Sequence, residues 1–96
     1  MKRIVITNKS ANFSFRISVT GIVYEIGLSW NVIANKWFIS LNDAEGIIYQ
    51  GVPLVAGIDY FNYIAIEKMP DAIMFVSQTP TFESLGETAN IYFEEL

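Results

Sequence analysis

Alternation of hydrophobic and polar residues dominates the first half of the chain. Every second side chain is apolar from residue 13 to residue 20, and the same period returns at residues 24–31 and 37–42. A period of two is typical of strands with one buried and one exposed face. The pattern predicts that the following side chains point into the core: Phe13, Phe15, Ile17, Tyr24, Ile26, Leu28, Trp37, Ile39 and Leu41.

Short breaks separate these segments and predict antiparallel hairpins. Thr20 and Gly21 form the first break, residues 31–35 the second and residues 42–46 the third. Consecutive strands joined by such turns pair with each other in a meander. Gly46, and Gly86 in a later polar loop, each end a turn ahead of a β-prone run. We therefore expect both glycines at positive φ.

The second half of the chain alternates less regularly. A β-prone run at residues 47–50 leads into residues 51–57, where Pro53 favours an irregular crossing or an edge strand. Residues 58–66 fit helical spacing and strand alternation about equally well, and we expect one short helix around residues 59–63. Two further strands are predicted at residues 72–77 and 88–94, on either side of a polar loop.

Together these segments predict one mainly β domain that spans residues 1–96. We expect a small antiparallel β-barrel or sandwich of six or seven short strands, with at most one short helix. A chain of 96 residues lies within the size range of a single domain and can bury an ordinary core without disulfides.

The composition excludes most catalytic chemistry. Cysteine and histidine are both absent, which removes thiolate metal sites, histidine triads and the commonest general base. Two pairs of neighbouring carboxylates remain, but Asp43 and Glu45 fall in a turn, and Glu94 and Glu95 lie near the last residue. Solvated carboxylates lack the burial that raises a catalytic pKa. We expect a protein that is not an enzyme and binds no cofactor or metal.

Charge is distributed unevenly along the chain. The net charge is −4, and residues 1–36 hold five basic and one acidic side chain, whereas residues 37–96 hold one basic and nine acidic. Either the halves interleave and the asymmetry largely cancels, or one acidic end of the molecule docks on a basic partner. An acidic protein is a poor ligand for phosphate backbones, so we expect no nucleic-acid partner.

Apolar residues are more abundant than one small domain needs. Hydrophobic residues make up 52% of the chain and charged residues 17%. The longest weakly polar run, residues 46–58, is too short and too interrupted for a membrane span, and the apolar run behind Met1 is too short for a signal peptide. We expect a non-secreted protein whose surplus apolar surface is covered by self-association or by a partner.

Candidate contact residues follow from predicted exposure. Phe38 alternates with Trp37 and should face outward, the turn at residues 42–46 carries two acids, and an aromatic run follows residue 59. The predicted contact residues are Phe38, Asp43, Glu45, Tyr60, Phe61 and Tyr63. Aromatic side chains could instead form a stacking platform, which leaves a carbohydrate-binding module on a small β-barrel as the alternative function.

Four ordered pieces of the chain resemble a known family. They are residues 24–31 (YEIGLSWN), residues 37–46 (WFISLNDAEG), residues 51–57 (GVPLVAG) and residues 82–86 (FESLG), followed by Ile91 and Tyr92. In order and spacing they are similar to the baseplate plug proteins of contractile-tailed bacteriophages. Each piece alone is only hydrophobic alternation with turn residues, so the resemblance depends on their order.

The resemblance implies a structural protein of the virion. A plug is a small component at the centre of the tail baseplate, made in the host cytoplasm, that occludes or braces the hub and tail channel. Other hub or spike proteins are the implied partners, and a threefold hub would imply a homotrimer. The family supplies no catalytic residues to transfer to this sequence.

Overall fold

The computed structural model describes residues 1–6, 9–62 and 72–95, and these contain seven strands and no helix. The strands pair antiparallel in two sheets, one with the order β2-β3-β4-β5 and one with the order β1-β7-β6. The predicted mainly β fold is confirmed as a sandwich-like arrangement and not a closed barrel. The strands are β1 (Lys2–Arg3), β2 (Asn12–Val19), β3 (Ile22–Asn31), β4 (Lys36–Asp43), β5 (Gly46–Pro53), β6 (Ala72–Val76) and β7 (Ile91–Glu95).

The four-stranded sheet follows the alternation of the sequence. Phe15 lies opposite Ile26, and Ile26 lies opposite Leu41, so the apolar positions of β2, β3 and β4 share one face. Seven of the nine side chains predicted to point inward are buried, and the other two, Phe13 and Phe15 on the edge strand, pack against the core while partly exposed. The predicted inward orientation of these side chains is confirmed.

Tight turns fix this register. Val19 pairs with Ile22 across a two-residue loop in which Thr20 and Gly21 have φ values of 50° and 82°. Two positive φ values are the mark of the type I′ turn, whose twist matches that of the flanking strands. The β4–β5 turn is closed by Asp43, whose Oδ1 accepts hydrogen bonds from the Glu45 and Gly46 amides at 2.9 and 3.1 Å.

Strand β5 is longer than the sequence pattern indicated. The predicted run stopped at residue 50, but pairing with β4 continues to Pro53 after a register shift between Ile39 and Leu41. Gly51, with a φ of 71°, lies in this irregularity. Proline is tolerated because β5 is the edge of its sheet and its free side needs no further partner.

The helix predicted around residues 59–63 is wrong over its described part. Residues 60–62 form a turn and a bend, and Tyr63 lies outside the described residues. The Asp59 carboxylate accepts hydrogen bonds from the Phe61 amide at 3.1 Å and from the Met74 amide at 2.9 Å. The Tyr60 amide donates to the Met74 carbonyl oxygen at 2.7 Å. The two hydrogen bonds to Met74, on the edge of β6, and the bond within the turn replace those that a helix would make.

Tyr60 and Phe61 were predicted to be exposed, and this prediction is also wrong. Both side chains are fully buried, with 0% of their surface exposed. The Tyr60 hydroxyl lies at the end of β5, where it donates to the Pro53 carbonyl oxygen and accepts from the amide of Val55, two residues beyond the strand, at 2.7 Å. Val52, in the last part of β5, is buried as well. The segment after β5 therefore closes the core instead of presenting a contact surface.

The core lies between the two sheets and is built around Trp37. Its side chain is fully buried, stacks on Phe82 at 5.5 Å between ring centroids, and meets Trp30 and Phe13 edge to face. The Trp37 Nε1 group donates to the Thr81 carbonyl oxygen at 3.0 Å. This cluster joins the loop after β6 to the start of β4, so the two sheets cannot separate without exposing it.

Replacement by alanine should destabilise the protein more at Gly86 than at Gly57, although the two glycines have nearly the same φ. Gly86 and Gly57 have φ values of 88° and 90°, but only at Gly86 would an added Cβ meet a neighbour, the Ile6 Cβ at 3.2 Å. Gly57→Ala should cost about 1 kcal/mol from backbone strain alone, and Gly86→Ala about 1–2 kcal/mol. Urea unfolding of both variants measures the difference. Equal losses would show that the Ile6 contact relaxes freely.

The positive φ predicted at two glycines is confirmed. Gly46 has a φ of 136° and Gly86 a φ of 88°.

Candidate functional site

Three of the predicted contact residues lie at the surface of the four-stranded sheet, in two separate places. Phe38 is partly exposed beside Ser29 and Pro53, its neighbours in the strand register. Asp43 and Glu45 lie at the far end of β4, in the turn to β5. Tyr60 and Phe61 are in the core, and Tyr63 is outside the described residues. The structure thus retains Phe38, Asp43 and Glu45 as candidate surface groups.

A hollow of about 510 Å³ lies on the outer face of the four-stranded sheet, at the end formed by the β4–β5 turn. Two exposed apolar side chains flank it: Val23, with 53% of its surface exposed, and Ile47, with 62%. We call it the acidic hollow, and its lining residues are Arg16, Val23, Glu25, Asn42, Asp43, Ala44, Glu45, Gly46 and Ile47.

The charge of the acidic hollow is mainly negative. Three carboxylates line it against a single cation, Arg16, whose Nε lies 3.4 Å from a Glu25 carboxylate oxygen. Both side chains of this pair are well exposed, so the pair adds little stability. The pKa of the neighbouring Tyr24 hydroxyl is raised, mainly by burial and to a smaller extent by the negative charge of Asp43. The hollow therefore combines apolar walls with an acidic rim.

A groove of about 380 Å³ lies beside Phe38 on the same face. Gly27 is part of its floor, because a Cβ at this position would lie 2.5 Å from the Ser40 Oγ. Because Gly27 has no side chain, the side chain of Ser40, its partner on β4, can occupy the space beside it. The groove offers small polar groups and two aromatic residues, Trp30 and Phe38, and is open to solvent, which suits contact with a protein surface better than enclosure of a small ligand.

The most exposed apolar side chains were missed by the sequence prediction. Val32 is 80% exposed and Ile33 is 99% exposed, both in the loop between β3 and β4. We call residues 32–35 the hairpin tip. The signal was present in the sequence, since two branched apolar residues occupy a turn where polar or glycine residues are usual.

The aromatic platform required by a carbohydrate-binding module is not formed by the buried rings. Trp37, Tyr49, Tyr60 and Phe61 all lie in the core and cannot stack on a sugar. The described residues also contain no group of three or more carboxylates that could hold a metal ion. No helix of the described residues is long and apolar enough to cross a membrane.

Tyr49 should make the protein sensitive to alkaline pH. Its hydroxyl donates to the Tyr60 carbonyl oxygen at 2.8 Å, and burial, with smaller effects of Tyr60 and Asp59, raises its pKa well above the ordinary value of 10.0. The folded pKa therefore exceeds the unfolded one. The resulting stability is complete below about pH 10 and is lost as the pH rises further.

The free energy of unfolding, measured by urea titration at about pH 8 and pH 11, tests this linkage. Wild type should lose more stability between the two pH values than Tyr49→Phe, which has no hydroxyl to ionise at this position. The variant should be less stable at the lower pH because the Tyr60 carbonyl oxygen loses its donor. Equal losses in the two proteins would contradict the prediction.

Comparison with known proteins places the chain in a family. Residues 1–95 match the protein family described as cyanophage baseplate Pam3 plug gp18. A search of curated proteins finds no match. The matched residues include all seven strands of the described part of the chain. The chain belongs to this family of phage baseplate plug proteins.

Proposed function

We propose that this protein plugs the tail baseplate of a contractile-tailed phage, where it occludes or braces the central hub and tail channel. The observation that carries the proposal is the match of residues 1–95 to a baseplate plug family. The proposal assigns the chain no catalytic step. It acts by packing against hub or spike proteins, and its location is the baseplate of the virion after synthesis in the host cytoplasm.

A rigid two-sheet scaffold supports such a role. Turns of defined geometry and a buried aromatic cluster hold the surface groups in place, so little ordering entropy is lost when a partner binds. The partner contacts in this proposal include Phe38 on the outer face of the four-stranded sheet, with Asp43 and Glu45 at the acidic hollow. A basic, partly apolar partner surface would complement them.

Reconstitution with the neighbouring tail proteins tests the role. The tagged chain, co-expressed with the hub and spike proteins of the same phage, should co-purify with them in a fixed stoichiometry. Electron cryomicroscopy of the resulting baseplate should show density for the two sheets on the tail axis. A chain found at the baseplate periphery, or only free in solution, would contradict the proposal.

Surface variants test which groups make the contact. Phe38→Ser and Glu45→Lys should each lower the co-purified fraction several-fold. Glu87→Lys is a control with the same change of charge, because Glu87 is exposed between β6 and β7 and lines neither the acidic hollow nor the groove beside Phe38. Retention of full binding by Phe38→Ser and Glu45→Lys would move the contact to another surface while leaving the family assignment in place.

A further inference from the structure

The hairpin tip and the acidic hollow lie at opposite ends of the four-stranded sheet. The tip connects β3 to β4, whereas the hollow is formed by β2, β3 and the β4–β5 turn. In an antiparallel meander, alternate turns lie at opposite ends of the sheet. The hairpin-tip end of the sheet thus presents protruding apolar side chains, and the opposite end presents a hollow with apolar walls.

The hairpin tip holds its apolar side chains in a fixed arrangement. Asn31 and Lys36 pair at its base, and the Asn31 Oδ1 accepts a hydrogen bond from the Ala34 amide at 2.8 Å. Asn35 takes the left-handed conformation, with a φ of 56°, that closes the loop. Because the loop is ordered by its own bonds, docking Val32 and Ile33 costs little additional entropy.

The two ends are also complementary in charge. Lys36 is the only charged residue between residues 26 and 42, so the hairpin is a cationic element. The acidic hollow carries Glu25, Asp43 and Glu45 against Arg16. Opposite charges on the rims of two apolar surfaces favour their encounter and fix their orientation.

We propose that the hairpin tip of one copy of this chain docks in the acidic hollow of a second copy. Val32 and Ile33 contact Val23 and Ile47, and Lys36 lies near the acidic rim. Contacts between different surfaces of identical chains generate rings when the geometry closes and filaments when it does not. This proposal concerns the isolated chain and goes beyond the baseplate role.

Two complementary double variants test the contact. Val32→Ser/Ile33→Ser removes the apolar tip, and Val23→Ser/Ile47→Ser removes the apolar walls. All four side chains are at least half exposed, so both variants should remain folded, with only a modest loss of stability from the strand positions Val23 and Ile47. In sedimentation velocity the wild type should associate with rising concentration, and each variant should require roughly a hundredfold more protein to do so.

Mixing the two variants is the decisive experiment. The first retains an intact hollow and the second an intact tip, so an equimolar mixture should regain association while each variant alone remains monomeric. Raising the salt concentration, or introducing Lys36→Glu, should weaken the wild-type assembly. A wild type that stays monomeric up to about 0.5 mM would overturn the proposal, and so would a mixture that behaves like its separate components.

Disulfide trapping identifies the contacting residues. The chain has no cysteine, so single cysteines can be placed without interference. A mixture of Ile33→Cys and Ile47→Cys copies should form a cross-linked heterodimer on mild oxidation, whereas Ile33→Cys mixed with Val5→Cys should not, although Val5 is 68% exposed. Equal cross-linking in both mixtures would indicate random collision and overturn the assignment. None of these failures would affect the baseplate assignment, which rests on the family match.

Discussion

Replacing Trp37 with alanine is expected to remove about 3–5 kcal/mol from the free energy of unfolding. The side chain is fully buried and contacts three other aromatic rings within 5.6 Å of its own centroid. Its removal also leaves the Thr81 carbonyl oxygen without the indole donor. Since small domains have only about 5–15 kcal/mol of stability, the variant should be largely unfolded at modest urea concentrations.

Far-UV circular dichroism during urea titration measures this loss, with Trp30→Ala as the matched control. Trp30 belongs to the same cluster but is partly exposed, so its truncation removes less buried surface and should cost clearly less. A loss below about 1 kcal/mol for Trp37→Ala would mean that neighbouring side chains refill the space. The two sheets would then not depend on this cluster.

The sequence predicted the four-stranded sheet because its signals are local. Alternation sets which face of a strand is buried, and the Thr20-Gly21 turn fixes the register of its hairpin. Strand β1 has only two residues, Lys2 and Arg3, and exists because it pairs with Tyr92 and Phe93 at the other end of the chain. A strand that forms only by pairing with such a distant segment leaves no local pattern in the sequence from which it could be predicted.

The errors around residue 60 have the same physical origin. Local spacing fits a helix, but Asp59 bonds to Met74, fifteen positions along the chain, and this contact determines the local backbone. Tyr60 and Phe61 are then carried into the core. An irregular segment has no periodicity from which burial can be read, so exposure inferred from its position between strands was unreliable.

The candidate surface was predicted in part. Phe38 follows directly from alternation, and Asp43 and Glu45 follow from turn composition, so the sequence identified them individually. Their arrangement around a hollow with Val23 and Ile47 depends on the pairing of β3, β4 and β5, which becomes evident only in the folded chain. The turn at residues 31–35 was predicted, but its apolar residues Val32 and Ile33 were not considered as a contact surface, because contact residues were sought among outward strand positions, acidic turns and aromatic runs.

Replacing Asp59 with alanine is expected to lower the free energy of unfolding by about 2–4 kcal/mol, because three hydrogen-bond donors share its carboxylate as their acceptor. The carboxylate accepts from the Met74 amide at 2.9 Å, the Phe61 amide at 3.1 Å and the Asn62 side-chain amide at 2.6 Å. The Met74 amide lies on the free edge of β6, in a residue that is 1% exposed. Without Asp59, a buried backbone donor remains unpaired and a strand edge is uncovered.

Thermal and urea unfolding of Asp59→Ala should be compared with Asp43→Ala. Asp43 also accepts two amide hydrogen bonds, but both come from an exposed turn, where water can replace the lost acceptor. Its removal should cost about 1 kcal/mol or less. Hydrogen exchange at the Met74 amide provides a local measurement, and its protection should fall far more in Asp59→Ala than in Asp43→Ala. Equal stability losses, with Met74 protection unchanged, would show that the edge of β6 is held by Tyr60 and Asn62 and does not require the carboxylate.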